Sequence, residues 1–245
     1  LQQKYRNVFA KVRYTERHWA DYRVPADSFT YLSMRLPIAG RRLKNTSGLE
    51  RSVNALLAYR GQLYQGRINL SDSYQKSGFF SGAHGIPTSS NLQDDGDRWN
   101  VDLPYSLVNH FKVTSTNVWS TPLLQTQLTL GYQVNHREEW SRFHTHNPSQ
   151  QPPETDADKE LMFHLQTGTA QLQLRLTPTT SWQFYGGLSA QLQHNGIEGY
   201  GFLIPAYRRS EYGAYFLTNY HHSSNLLFNA SVRYDGAHIH TQAHG

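Results

Sequence analysis

Leu124-Gln125-Thr126-Gln127-Leu128-Thr129-Leu130-Gly131-Tyr132-Gln133-Val134-Asn135 decides how this chain folds. Side chains of a strand point alternately to its two faces. Leu124, Thr126, Leu128, Leu130, Tyr132 and Val134 therefore share one side, and Gln125, Gln127, Thr129, Gly131, Gln133 and Asn135 the other. The wet side is glutamine, threonine and asparagine rather than lysine and glutamate. A ribbon with one oily and one amide-rich face suits a wall between lipid and a polar lumen.

The same pattern recurs outward from this stretch. Val8, Ala10, Val12 and Tyr14 alternate with polar neighbours, as do Val53, Ala55, Leu57 and Tyr59, and then Tyr64, Gly66, Ile68 and Leu70. Leu107, Phe111, Val113 and Trp119 form a rougher row. Further rows are Ala170 to Leu176, Trp182 to Leu192, Tyr212 to Phe216, and Leu226 to Tyr234. The fold class expected is all-β, an antiparallel meander of about nine or ten strands.

The predicted connections alternate in length. Short ones fall at about 60–63, 120–122, 177–181 and 221–225, long ones at 17–50, 75–98, 141–160 and 195–208. Short turns at one end and long loops at the other are the arrangement of an outer-membrane barrel. The stretch 28–38 also alternates, but as a full span it would place a short turn at the wrong end. It is therefore expected inside the first long loop, as extended structure or a hairpin arm, leaving nine spanning strands with the first running outward. Tyr59, Tyr64, Trp119, Trp182 and Tyr220 flank the short turns, where an aromatic girdle would lie, and Tyr14, Tyr74, Trp140 and Tyr234 are expected toward the far ends.

Composition narrows the class. Of 245 residues only 38% are hydrophobic and 17% charged, and no apolar run reaches the length of a membrane helix. The absence of cysteine excludes disulfides and thiolate metal sites. The net charge of +5 comes from scattered Lys and Arg rather than a run, so no nucleic-acid partner is expected. The chain opens without a charged segment followed by an apolar one, and both ends read as cut from something longer.

Several strings resemble the TonB-dependent outer-membrane receptors. They include Val24-Pro25-Ala26-Asp27-Ser28-Phe29, Arg42-Leu43-Lys44-Asn45-Thr46, Tyr74-Gln75-Lys76-Ser77-Gly78-Phe79-Phe80 and Gly82-Ala83-His84-Gly85-Ile86-Pro87. Others are Val108-Asn109-His110-Phe111-Lys112-Val113, Asn135-His136-Arg137-Glu138-Glu139-Trp140, Gly201-Phe202-Leu203-Ile204-Pro205 and Val232-Arg233-Tyr234-Asp235. The resemblance implies residues 1–245 as part of a 22-stranded transmembrane β-barrel in the Gram-negative outer membrane. It further implies active uptake of a scarce ligand: a ferric siderophore, haem or cobalamin. No cofactor of the protein's own is required, the iron, haem or cobalamin being cargo. Implied partners are outer-membrane lipid, a plug domain and TonB. The plug, the TonB-contacting segment and the closing strands are expected to lie outside this chain, and its sheet edges to favour self-association.

Candidate chemistry is sparse. Loop residues Phe79, Phe80, His84, Trp140, Arg142, His144 and His146 are the candidates for ligand capture. Lys11, Arg13, Arg67, Arg175 and Arg233 fall on polar faces and are expected to face the lumen, contacting a plug or steering an anion. His144 with His146, and His238 with His240, are alternate residues that could chelate one Zn²⁺ or Cu²⁺, with His244 near the second pair. Asp94, Asp95 and Asp97 offer oxygen ligands around a glycine, without EF-hand spacing. No nucleophile elbow, phosphate loop or zinc-protease motif occurs, so an enzyme is not expected. The competing readings are an outer-membrane barrel enzyme or adhesin, and a soluble ligand-binding β-sandwich.

Overall fold

The computed structural model describes residues 2–81, 87–88, 92–93, 95–144 and 149–242. In chain order the strands are β1 (Gln2–Tyr5), β2 (Val8–Trp19), β3 (Tyr22–Arg23), β4 (Ser28–Tyr31), β5 (Met34–Pro37), β6 (Arg42–Leu43), β7 (Gly48–Arg60) and β8 (Tyr64–Gly78). Then come β9 (Tyr105–Ser120), β10 (Leu124–Trp140), β11 (Lys159–Leu176), β12 (Trp182–Glu198), β13 (Tyr207–Ser223) and β14 (Leu226–Thr241). Among the described residues no helix is long and apolar enough to cross a membrane, which says nothing of strands.

Ten strands form one sheet in the order β1-β2-β7-β8-β9-β10-β11-β12-β13-β14, every pair antiparallel. The sheet is an open meander in which β1 and β14 each pair on one side only. The first long connection carries two small ribbons, β3 with β6 and β4 with β5. The alternating stretch 28–38 is thus a hairpin inside the loop, joined at Leu32 and Ser33, both with left-handed backbone.

Register puts every apolar row on one face. Leu57 opposes Ile68, Leu128 opposes Leu172, Leu172 opposes Leu188, and Phe216 opposes Val232. A slip of one residue would turn a whole row to the other side, so continuity across the strands shows the register the pattern demands. No second layer covers this face among the described residues. Leu57 is 53% exposed, Leu188 58%, Leu192 66% and Val232 66%. Strands lie about 4.8 Å apart, so nine of them with an apolar band ~25 Å tall present on the order of 1,000 Å² of oily surface. That is beyond the few hundred Å² a soluble monomer ordinarily exposes.

At the short-turn end, aromatic rings line this face. Tyr59 stacks on Tyr64 at 6.0 Å and Tyr64 meets Trp119 at 5.4 Å. Trp182 stacks on Tyr220 at 4.5 Å, which in turn lies 6.4 Å from Phe228. An amphipathic ring suits the boundary between hydrocarbon and water. Tyr234 departs from expectation: it opposes Ala214 in the middle of its strand rather than near the far end.

The strands also run further than the hydrophobic pattern predicts. The connection expected at 195–208 shrinks to residues 199–206, because His194 pairs with Arg208 and Asn195 with Tyr207. At the other end, His221 opposes Leu227 within the ladder instead of lying in the turn. Backbone pairing needs no apolar side chain, so the ladder outlasts the greasy row at both ends.

Candidate functional site

Two regions carry the polar chemistry: the face opposite the apolar rows, and the end where the long connections gather. On the polar face Lys11 opposes Leu56 and Arg13 opposes Asn54, while Arg67 sits between Ala58 and Thr116. Arg175 lies between Gln125 and Tyr185, its guanidinium 5.8 Å from the Tyr185 ring centroid. Arg233 opposes Tyr215 and is held by Asp235, whose oxygens accept from Nε at 2.6 Å and Nη2 at 2.8 Å. Register alone puts all five basic residues on one side, away from the leucine rows, as charge in contact with hydrocarbon would be costly.

This face is laced by amide and hydroxyl hydrogen bonds. Gln191 donates to Glu211 at 3.0 Å and Gln193 to Thr167 at 3.3 Å. A concavity of about 620 Å³ opens here, lined by Gln171, Ser189, Gln191, Glu211, Arg233 and Asp235 among others. Its donors and acceptors suit a polar solute or another polar protein surface.

At the long-loop end, Asn45 ties three segments together. Its backbone is left-handed (φ 63°), a conformation Asn tolerates better than most residues. Its amide nitrogen donates to the Phe79 carbonyl at 3.1 Å and the Pro104 carbonyl at 2.8 Å, and its oxygen accepts from the Asp102 N–H at 2.8 Å. Asp21 caps the same corner, accepting from the Thr46 and Ser47 amides at 2.8 and 3.0 Å. Burial pushes the Asp21 carboxyl above its ordinary range, with those amides opposing the shift. Lys44 pairs with Asp95 at 3.3 Å beside a cavity of about 240 Å³ lined by Arg42, Lys44, Arg98 and Trp99.

A second cluster joins the end of β10 to the β12–β13 connection. The Tyr200 hydroxyl shares a hydrogen bond with Ser141 Oγ at 2.7 Å and lies 3.2 Å from His144 Nδ1. Ser141 Oγ also reaches Glu160 at 2.9 Å. Burial raises the Tyr200 phenol above its usual range, with the neighbouring Glu160 and Asp158 charges adding to it.

The loop residues selected from sequence are placed as follows. Phe80 packs edge-on against Phe29 of the β4–β5 hairpin at 5.5 Å, and the Phe79 amide donates to Pro104. Trp140 stacks on Tyr105 at 6.0 Å, has the Lys159 ammonium 5.5 Å from its ring, and donates to Glu138 at 2.7 Å. The Arg142 carbonyl accepts from Tyr200, and His144 lies beside the same ring. Phe79 and Phe80 thus belong to the Asn45 corner, Trp140, Arg142 and His144 to the Tyr200 cluster. Tyr105, Lys159 and Tyr200 join them unforeseen by sequence reading. The parity that made Trp140 a strand end could have found Tyr105, its ladder partner.

His84, Asp94, His146 and His244 lie outside the described residues. His238 and His240 oppose Ser210 and Arg208, on the face that carries the leucine rows rather than on the polar face. Among the described residues no three His, Cys, Asp or Glu side chains converge as a metal site.

The strand path has a solved counterpart. The FrpB iron transporter from Neisseria meningitidis (F3-3 variant) aligns with a TM-score of 0.63 at 10% identity, over 97% of this chain and 37% of that one. The ferric yersiniabactin uptake receptor FyuA from Yersinia pestis aligns at 0.43 and 10% identity, over 95% of this chain and 38% of that one. This chain therefore spans a little over a third of the length of either. No family model and no curated protein matches the sequence. At such identity the FrpB alignment establishes a shared fold: an antiparallel meander like part of a transporter's barrel wall.

Proposed function

We propose that this chain is a section of the wall, with outer loops, of a TonB-dependent receptor in a Gram-negative outer membrane. The observation that carries the reading is the uncovered apolar face, bounded by stacked aromatics at its short-turn end and backed by a polar face bearing every strand arginine and lysine singled out above. The FrpB-like strand path supports the same class, since that neighbour is an iron transporter. A plug and a TonB-contacting segment belong to the whole receptor in this reading, and the lumenal Arg67, Arg175 and Arg233 meet the plug or an anionic cargo. The cargo is a ferric siderophore, haem or cobalamin, met first by Trp140, Arg142 and His144 with Tyr200. Active uptake follows when TonB rearranges the plug. A soluble sandwich reading would require a second sheet over the leucine rows, and no described residue supplies one.

Because the chain has no cysteine, a single introduced one can be spin-labelled without background. In lipid bilayers, labels at Leu128, Leu130, Leu172 and Leu188 are expected to collide preferentially with oxygen, and labels at Gln127, Thr129, Gln171 and Gln173 with a water-soluble nickel chelate. Loss of that alternation would overturn the membrane reading. Iron-limited uptake by cells carrying the intact receptor, with and without TonB, tests the transport reading separately.

A further inference from the structure

We propose that His136 and His164 form a cross-strand binding site for a divalent transition-metal ion of the zinc or copper type. The two residues are ladder partners on β10 and β11, and both lie on the apolar-row side, past Val134 and short of Met162 and Trp140. The site therefore sits at the outer margin of the apolar row, where polar side chains begin to replace leucine and valine. It lies off the polar face and meets the Tyr200 cluster only through the Glu138–Trp140 hydrogen bond.

The argument is geometric. The two Nδ1 atoms are 3.2 Å apart, with the ring planes at 63°. A tetrahedral ion with Zn–N bonds of about 2.05 Å holds two nitrogens about 3.3 Å apart. The pair is already spaced as two corners of that tetrahedron, and a shared ion would lie to the side of the line joining the nitrogens, with each lone pair directed about 35° off that line.

The outer partners match what a metal-bound imidazole needs. His136 Nε2 lies 2.9 Å from Glu138 Oε1, and the other Glu138 oxygen accepts from Trp140 Nε1 at 2.7 Å. This is a carboxylate holding the far N–H of the ring, which fixes the tautomer that leaves Nδ1 free to coordinate. His164 Nε2 lies 3.0 Å from the Gln166 amide. Either end of that amide can face the ring. In the metal-free protein Gln166 donates to Nε2, and His164 Nδ1–H donates to His136. With a metal bound, His164 changes tautomer: its Nδ1 proton passes to water, Nε2 takes one up, the amide turns, and His164 Nε2–H donates to the Gln166 oxygen. The Tyr132 hydroxyl, 3.4 Å from Gln166, can donate or accept and so serves both arrangements. Every polar group keeps a partner in either state.

Space for the remaining ligands is present. Gly196 stands opposite His164 in the next strand, and a Cβ built there meets nothing within 4 Å. The His136 side chain is 31% exposed, so water can complete the coordination sphere. Two imidazoles with water also suit Cu²⁺, which binds nitrogen sites more tightly than Zn²⁺.

The test uses the whole chain in lipid nanodiscs, titrated with Zn²⁺ by calorimetry and with Cu²⁺ by electron paramagnetic resonance. The expected result is one ion per chain, with a copper spectrum showing two imidazole nitrogens. His136→Asn and His164→Asn should each weaken binding at least tenfold, and Glu138→Gln about 10- to 100-fold. His221→Asn, on β13, should leave it unchanged. His164→Gln repeats the test should either Asn variant fail to fold. Equal binding by the H136N/H164N double variant, or a one-nitrogen spectrum, would overturn the assignment, and so would absence of binding at millimolar ion.

Discussion

Replacing Leu172 by arginine tests the apolar face most sharply. Leu172 lies between Leu128 and Leu188, midway along the hydrophobic rows that run from Leu124 to Val134 on the neighbouring strand. A band about 25 Å tall, crossed by tilted strands, takes roughly ten residues, so this row sits near the bilayer midplane. An arginine on the lipid face there costs about 2–4 kcal/mol, falling to about 0–1 near an interface. At 1.4 kcal/mol per decade, L172R should shift the folding equilibrium thirty- to several-hundred-fold. Leu176→Arg, on the same face beside the 177–181 turn, should cost about 1 kcal/mol or less. Gln173→Arg, one residue along but on the polar face between Gln127 and Gly187, should be close to neutral. Denaturant unfolding in phosphatidylcholine bilayers measures all three. Equal costs for Leu172 and Leu176 would refute the lipid contact, because protein packing has no dependence on membrane depth. A neutral L172R would refute it outright.

Three further outcomes follow from the same structure. Asn45→Ala removes three hydrogen bonds worth about 1 kcal/mol each and adds about 1 kcal/mol of left-handed strain; amide exchange at Phe79 and Asp102 should accelerate about a thousandfold, and unchanged exchange would show that the corner is held elsewhere. Trp182→Ala loses stacks on Tyr220 and Phe184, worth about 0.5–1.5 kcal/mol each beyond area burial, and should lower the bilayer unfolding midpoint, whereas an unaltered midpoint counts against a girdle at that level. Asp95 feels a desolvation that raises its pKa, but hydrogen bonds from Asn100, the Asp97 amide and Lys44 outweigh it and hold it below the ordinary carboxylate value. A depressed folded pKa stabilises fully above the unfolded value of about 3.9 and loses that contribution as pH falls through the folded value. Trp99 fluorescence, taken as the difference from a Trp99→Phe variant, should therefore change below about pH 4 in the native protein and stay flat in Asp95→Asn.

The strand count and sidedness were legible because a period of two is a local property: Leu124 to Val134 declare their face without reference to any neighbour. The place of 28–38 inside the first long loop was legible too, through the parity of long and short connections, while its closure as a hairpin came from the β4–β5 pairing. The candidate loop residues were chosen by type, and type does not report position. Trp140 was visible as a strand end, but its neighbours Tyr105 and Lys159, and Tyr200 beside His144, come from three other segments. The His144–His146 and His238–His240 pairs were selected because alternate residues share a face. Among the described residues, two imidazoles meet within hydrogen-bonding distance at His136 and His164, nearly thirty positions apart in sequence.

Alternating polarity, amide-rich backs and sorted connection lengths specified an antiparallel wall from sequence alone, because each depends on side chains within one strand or one turn. The register between strands, the extension of the ladders past the oily rows, and the meeting of distant loops at Asn45 and Tyr200 were decided only in three dimensions. Backbone hydrogen bonds between strands carry no side-chain signature. Contacts between loops depend on where each strand happens to end.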